Sequence, residues 1–284
     1  MKILAVVMLF GVMIQSSVFA QKSKFGKVSY EKAINVAGKQ RMLSQKIAKV
    51  KVLNVVGASS IELKTELSSA ITIFERNLKI LDLNSKEQSA KVKALIRQER
   101  SKWNDFKVLA DKPLPDVKQV LESAGDLLSK CHMLTLAIEE ESKFQKQLGV
   151  ANAVEQLKVE TINIAGKQRM LSQKMCLYYA ACRAFRKGKN AELACGQYQN
   201  IYYEMDETIN NLLVNELNNT AIDGIIAQIL SVVDQDINTR KKEFNSNKMP
   251  LQKVLETSNK LLELFNKLTN QYSCLLYTSP SPRD

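Results

Sequence analysis

The sequence predicts an all-α fold of two tandem antiparallel four-helix bundles. Three observations carry that prediction. Apolar residues recur at three- and four-residue steps along most of the chain, the period of a helix with one buried face. Proline and glycine are scarce, at 5 and 10 of 284 residues, and strand-like alternation of Val, Ile and Thr is absent. A long segment also returns almost unchanged 128 residues downstream, so the chain holds two copies of one unit of about 125 residues, a length suited to four helices.

The elements follow in order. Residues 1–20 open with Lys2, continue as an apolar run from Ile3 to Ile14 and end in Ser16-Ser17-Val18-Phe19-Ala20, which reads as a secretory signal cut after Ala20. About twelve apolar residues are too few to span a bilayer; retention as a membrane anchor is the alternative. The first unit, 21–148, is expected to form helices near 26–57, 60–83, 86–110 and 115–148, with breaks at Gly57–Ser60, Leu83–Ser85 and Lys112–Pro115. The second, 149–273, gives helices near 150–187, 190–216, 220–244 and 250–273, broken at Lys187–Asn190, Asn218–Thr220 and Asn245–Pro250. Val120-Leu121-Glu122-Ser123 returns as Val254-Leu255-Glu256-Thr257, each after a proline-marked turn, which aligns the two fourth helices. Only Gly149 interrupts the passage between the units, so a continuous helix joining them is one arrangement the sequence allows. Residues 274–284 read as an adapter-derived artefact, and by the same alignment the second bundle is truncated before its fourth helix ends.

The repeated segment runs from Ile34 to Lys46 and from Ile162 to Lys174, and Val36 against Ile164 is its one difference. Packing alone seldom fixes Asn, Gly, Gln, Arg and Ser together, because a helix core accepts many apolar substitutes. At 100° per residue Val36, Leu43, Ile47 and Val50 form a core stripe. Ile34, Ala37, Gly38, Arg41, Gln45 and Ala48 line the other side, as do Ile162, Ala165, Gly166, Arg169, Gln173 and Cys176. Mid-helix glycine costs about 1 kcal/mol against alanine, a loss expected where another backbone approaches closely. An arginine on such a seam needs a partner, since an unpaired buried charge is costly. Two partners stay open: a carboxylate from another helix, or an external oxyanion held by paired N–H···O bonds.

The formal charge of +12 suits anionic ligands, envelope surfaces or acidic partners. Nucleic acid is not expected, because basic stretches lack interleaved aromatics and Trp103 is the single tryptophan. Export permits disulfides, and a helical hairpin turning at Lys187–Asn190 sets Cys182 and Cys195 at equal distances from its centre, which favours that pair. Cys131 and Cys176 either pair or stay buried as small apolar groups. His132 is the only histidine and is read as packing. Without HExxH, a P-loop or GxGxxG, no enzyme, metal or cofactor is expected. Glu139-Glu140-Glu141 reads as a solvated face, and Tyr178-Tyr179 with Tyr198–Tyr203 as packing in the second bundle.

The segment INxAGKQRMLSQK resembles the signature of the PilJ-type, NarX-like N-terminal domain, found in the periplasmic sensor modules of type IV pilus chemotaxis transducers and nitrate/nitrite sensor kinases. The resemblance implies a four-helix bundle whose first helix carries the motif, a role in ligand binding and signal transduction, and a homodimer or membrane-receptor partner. In nitrate-sensing members the arginine before the methionine binds the anion at a two-fold helix interface, and it maps onto Arg41 and Arg169. The other ligand-binding positions map onto Asn35, Gly38, Ser44 and Gln45, and onto Asn163, Gly166, Ser172 and Gln173. Those receptors also carry transmembrane helices on both sides of the sensor and an output domain. This sequence shows a cleavable signal instead, so nitrate specificity does not transfer with the motif. The expectation is a periplasmic, non-catalytic receptor for a small oxyanion, with nitrate or nitrite as candidates. The rival is an interaction module in which the motif pairs helices, or the truncated sensor of a membrane-bound transducer.

Overall fold

The computed structural model describes residues 24–147 and 153–275. The expected signal at 1–20, the joint at 148–152 and most of the adapter-like tail lie outside the described residues.

A two-residue hairpin comes first, β1 (Lys24–Phe25) pairing antiparallel with β2 (Val28–Ser29). The first unit then follows as α1 (Tyr30–Val55), α2 (Ile61–Asn84), α3 (Ala90–Asp111) and α4 (Val117–Gln147). The second comprises α5 (Ala153–Phe185), α6 (Lys189–Leu213), α7 (Thr220–Asp236), a 3-10 turn Asn238–Arg240, the short α8 (Lys241–Asn245) and α9 (Leu251–Cys274). Side-chain caps set the starts. Ser29, Ser60 and Ser89 accept from Lys32, Leu63 and Val92 N–H, and Asn219 accepts from Ala221 and Ile222 N–H, each satisfying donors that a first turn leaves free. Within each unit the helices close a ring, α1–α2–α3–α4 and α5–α6–α7–α9. The all-helical bundle architecture read from the periodicity is therefore present.

The structure corrects four details. The first helix starts at Tyr30, four residues later than expected, because the hairpin occupies 24–29. Gly26 turns it at φ +60°, and a Cβ there would lie 2.6 Å from the Asn84 carbonyl oxygen; Lys27 N–H donates to Asn84 Oδ1 at 2.8 Å. The expected helix 220–244 breaks after Asp236, which turns inward to bind Lys253 and Thr257 at 2.5 and 3.0 Å. A continuous helix between the units is excluded. Lys143 meets Glu160 at 2.7 Å and Asn163 donates to Glu139 at 2.7 Å, whereas residues 143 and 160 of one straight helix stand about 25 Å apart. The chain folds back there. Finally, Glu139 is buried and bonded, although Glu140 is exposed.

The fold-back lays α5 along α1, the most extensive helix contact among the described residues. Both helices are consequently enclosed by their own bundle and by each other. From Gln40 to Leu53 every residue of α1 is buried except Lys46. Packing in the two cores differs. Phe74 stacks on Trp103 in the first, while Tyr179, Tyr198 and Tyr202 surround Phe244 in the second. Tyr178 leaves that seam for the space between bundles, and Tyr203 is half exposed. A disulfide joins Cys182 of α5 to Cys195 of α6 with Cα atoms 5.0 Å apart, and Cys131 and Cys176 are buried and free. Among the described residues no helix is long and apolar enough to cross a membrane.

Candidate functional site at the paired motif helices

The two copies of the motif meet. Arg41 Nη2 donates to Asn163 Oδ1 at 2.7 Å, and Arg169 donates through Nη1 and Nη2 to Asn35 Oδ1 at 3.2 and 3.1 Å. These pairs exchange under the repeat, since 41 corresponds to 169 and 35 to 163. Each arginine reaches back toward the N-terminus of the neighbouring helix, the direction in which helical side chains lean. Lys49 further along α1 likewise reaches Gln173 further along α5 at 2.8 Å, so the helices run parallel and in register, as a two-fold pair would, but inside one chain.

Gly38 and Gly166 make room for the guanidinium groups. The expectation was a close backbone approach, and the structure replaces it. A Cβ at 166 would lie 2.9 Å from Arg169 Nη2, and one at 38 would lie 3.3 Å from Arg41 Nη2 and 3.6 Å from Arg169 Nη2. Ser44 and Ser172 bond back to the carbonyls of Arg41 and Arg169 at 2.8 and 2.9 Å. Gln45 and Gln173 donate to the carbonyls of Ala124 and Ser258 at 3.3 and 3.2 Å, tying each motif helix to the fourth helix of its bundle. Asn35, Asn163, Gly38, Gly166, Arg41 and Arg169 are thus brought together at the interface, the serines act within their own helices, Gln45 also lines the cleft beside Arg41, and Gln173 also accepts from Lys49 across the interface at 2.8 Å.

The electrostatics of this pair are unusual. Arg41 and Arg169 are only 2% and 1% exposed, yet among the described residues neither forms an ion pair with a carboxylate. Burial pushes the Arg41 guanidinium down to about 10, against a partial offset from Glu139. Burial and the facing Arg41 push Arg169 down to about 9. Both stay charged at neutral pH, so the interface holds two cations whose nearest partners are neutral amides. Glu139 reaches Arg41 only through Asn163, which donates to it at 2.7 Å. Arg169 has its Nε on the Gly166 carbonyl at 3.3 Å as well as Asn35. Arg41 is less complete: Nη1 faces His132 Nδ1 at 3.4 Å and its buried Nε has no partner.

Two clefts flank the helix pair, related by the repeat. The cleft beside Arg41, about 310 Å³, adds Lys167 and Lys174 from α5 and Ser129 and His132 from α4. The opposite cleft, about 860 Å³, has Lys39 and Lys46 at the equivalent motif positions, and Asn259, Glu263 and Asn266 on α9. His132, Lys167 and Lys174 are the residues that the sequence reading missed. The two lysines lie inside the repeated segment, so their recurrence was visible, but nothing local shows that they face a cavity. His132, read as packing, has one part of its ring open to solvent and the other against Arg41, and this partial burial, with Arg41 and Lys167 nearby, lowers its pKa. It accepts from Arg41 as a neutral ring.

A further buried network sits behind the motif. Gln40 donates to the Phe74 carbonyl at 3.1 Å and to Glu99 Oε1 at 3.2 Å. Burial pushes the Glu99 carboxyl up to about 7, against the lowering effect of the Gln40 and Cys131 hydrogen bonds. Gln168, the counterpart of Gln40, has both amide atoms buried without a partner.

No curated protein and no solved structure matches the chain. The hairpin's second strand, all of α1 to α3 and α4 as far as His132 match a family model. That span, residues 28–132, matches the PilJ domain, the N-terminal domain of type IV pili methyl-accepting chemotaxis transducers.

Proposed function

We propose that this chain is a non-catalytic, exported sensor module whose paired motif helices recognise a small oxyanion. One observation carries the reading: two buried guanidinium groups face each other across α1 and α5 with amide oxygens as partners and, among the described residues, no carboxylate in direct contact. Two like charges in a low-dielectric interface repel strongly, and an oxyanion between or beside them would relieve that repulsion. The PilJ match over residues 28–132 supports a sensor role. Because the two-fold-like pair is built within one chain, a homodimer is not needed to complete it. A membrane-receptor partner, or a longer transducer of which this is the sensor, would carry the output.

A second reading has its own support. The reciprocal Arg–Asn bonds already hold the helices together with no ligand, so the motif would serve as a pairing device alone. A thermal-shift screen against nitrate, nitrite and phosphate, beside an Arg41→Met/Arg169→Met double variant, separates the two. An anion at about 100 times its Kd adds roughly 2.7 kcal/mol to the folded state. A selective shift that the double variant loses is expected. No shift with any anion, together with a variant as stable as its parent, would leave the pairing device.

A further inference from the structure

The two clefts beside the motif helices are related by the repeat, yet their charge has diverged. On the Arg41 side the lining carries Arg41, Lys167 and Lys174 and no carboxylate. Lys167 is paired with Glu204. Lys174 is half-buried and stands 5.8 Å from the Tyr178 ring centroid, in a cation–π arrangement. Arg41 is buried, lines the cavity and has an unpartnered Nε. Two positive groups therefore converge on one cavity with unspent hydrogen-bond capacity.

The opposite side is neutralised. Glu263 stands where Ser129 stands, and Glu62 and Glu66 also line the cleft. Glu66 binds Lys46 at 3.5 Å and Lys49 at 2.7 Å. Lys49 in turn donates to Gln173 and Asn259 at 2.8 and 3.0 Å, and Leu177 occupies its equivalent position in the second unit. Arg169 does not line that cleft and spends its Nε, Nη1 and Nη2 on Gly166 and Asn35. There Lys39, Lys46 and Arg76 are balanced by Glu62, Glu66 and Glu263, so the cleft offers an anion no net attraction, whereas the Arg41 side carries cations alone.

Size and wall chemistry narrow the ligand. About 310 Å³ lies at the lower end of the range for small organic ligands, and a planar inorganic ion would leave most of it to water. Leu128, Met170 and the Tyr178 ring supply apolar wall, while the open side at Gly125 leaves space for bulk. We infer that this cleft binds one small organic carboxylate per chain, its carboxylate on Arg41 and Lys174 and its apolar body against Leu128, Met170 and Tyr178. The inference rests on the anion-sensor reading and gives it a ligand class, a side and a stoichiometry.

Isothermal titration calorimetry of the full chain with benzoate, isovalerate, nitrate and phosphate tests it. Gly125→Leu places a side chain in the cleft; a Cβ there meets nothing within 4 Å and the position is exposed, so the fold is kept. Ser129→Glu imports the charge of the opposite cleft, and Glu263→Ser is the control on that side. A carboxylate is expected to bind one per chain, to weaken at least about tenfold in Gly125→Leu and in Ser129→Glu, and to bind Glu263→Ser as it binds the parent. Failure of both carboxylates to bind, two sites per chain, or affinity unchanged in Gly125→Leu overturns the inference. Nitrate binding that survives Gly125→Leu but is lost in Arg41→Met/Arg169→Met would overturn it while keeping the sensor reading. Silence from all four anions overturns both.

Discussion

Replacing each motif glycine by alanine tests the idea that the glycines seat guanidinium groups. Both glycines sit in helical backbone, so alanine fits the main chain and gains about 1 kcal/mol of helix propensity at either site. The opposing term differs. At 166 the new Cβ would stand 2.9 Å from Arg169 Nη2, with Cζ and Nε at 3.8 and 3.9 Å. Arg169 is enclosed and held by Asn35 through both terminal nitrogens, so withdrawing strains or breaks charge-assisted bonds worth about 1.5–3 kcal/mol. At 38 the nearest contact is 3.3 Å, to an Arg41 that borders an open cleft. A shift of a few tenths of an ångström relieves it. The expected outcome is Gly38→Ala between neutral and about 1 kcal/mol more stable than the parent, and Gly166→Ala about 1–2 kcal/mol less stable. Denaturant unfolding with equal m-values measures both. Gly166→Ala as stable as Gly38→Ala would refute the argument, and equal losses at both positions would restore the close-backbone explanation.

Two further outcomes follow from buried chemistry. Glu99 is held up to about 7 by burial, above the ordinary 4.5. The folded state therefore binds this proton more tightly than the unfolded chain, and Glu99's own contribution to stability is fully present below pH 4.5 and is lost as pH rises toward 7, by about 3 kcal/mol in all. Glu99→Gln should flatten that slope in denaturation curves taken across the window; a variant with the parent's slope would sink the assignment. The Cys182–Cys195 bridge closes a loop of 13 residues, and losing such a bridge costs about 3 kcal/mol. Reductant should lower the Tm of the parent and leave Cys182→Ser/Cys195→Ser unmoved, and equal Tm values for parent and variant without reductant would contradict it.

What the sequence made legible was set by where the physics is local. Helix ends at Gly57, Lys112-Pro113 and Gly188 follow from residues that cannot continue a helix, and they lie within a few positions of the observed ends. The repeat exposed the two-fold logic, because Arg41 and Arg169 can share an environment only if their helices do. The failures are tertiary. Strands of two residues lie below any periodicity, and the hairpin depends on Gly26 meeting Asn84. The break at Asp236 has no glycine or proline; it comes from Lys253 and Thr257 on a later helix. Neither cleft was visible, because each needs the fourth helix of one bundle to meet the motif helix of the other. His132 and Glu139, read as bland positions, matter only through that meeting.

A motif repeated within one chain allows the two flanks of its helix pair to differ. A homodimer places the same residue on both faces of its axis, so any change that improves one cleft changes the other as well. Here Ser129 and Glu263, or Lys49 and Leu177, occupy equivalent positions with different chemistry. The centre has kept its symmetry, since the Arg–Asn exchange needs both halves and, among the described residues, neither arginine has a carboxylate in direct contact. The flanks are released from it. One side spends Glu66 on Lys46 and Lys49, and Lys49 locks Gln173 in place. The other keeps its cations toward a cavity and links Arg41 through Asn163 to Glu139, Lys143 and Glu160, at the end of the bundles where the chain folds back. An event at Arg41 is therefore connected by hydrogen bonds and ion pairs to Lys143 and Glu160, which tie α4 to α5, whereas among the described residues an event at Arg169 ends at Asn35.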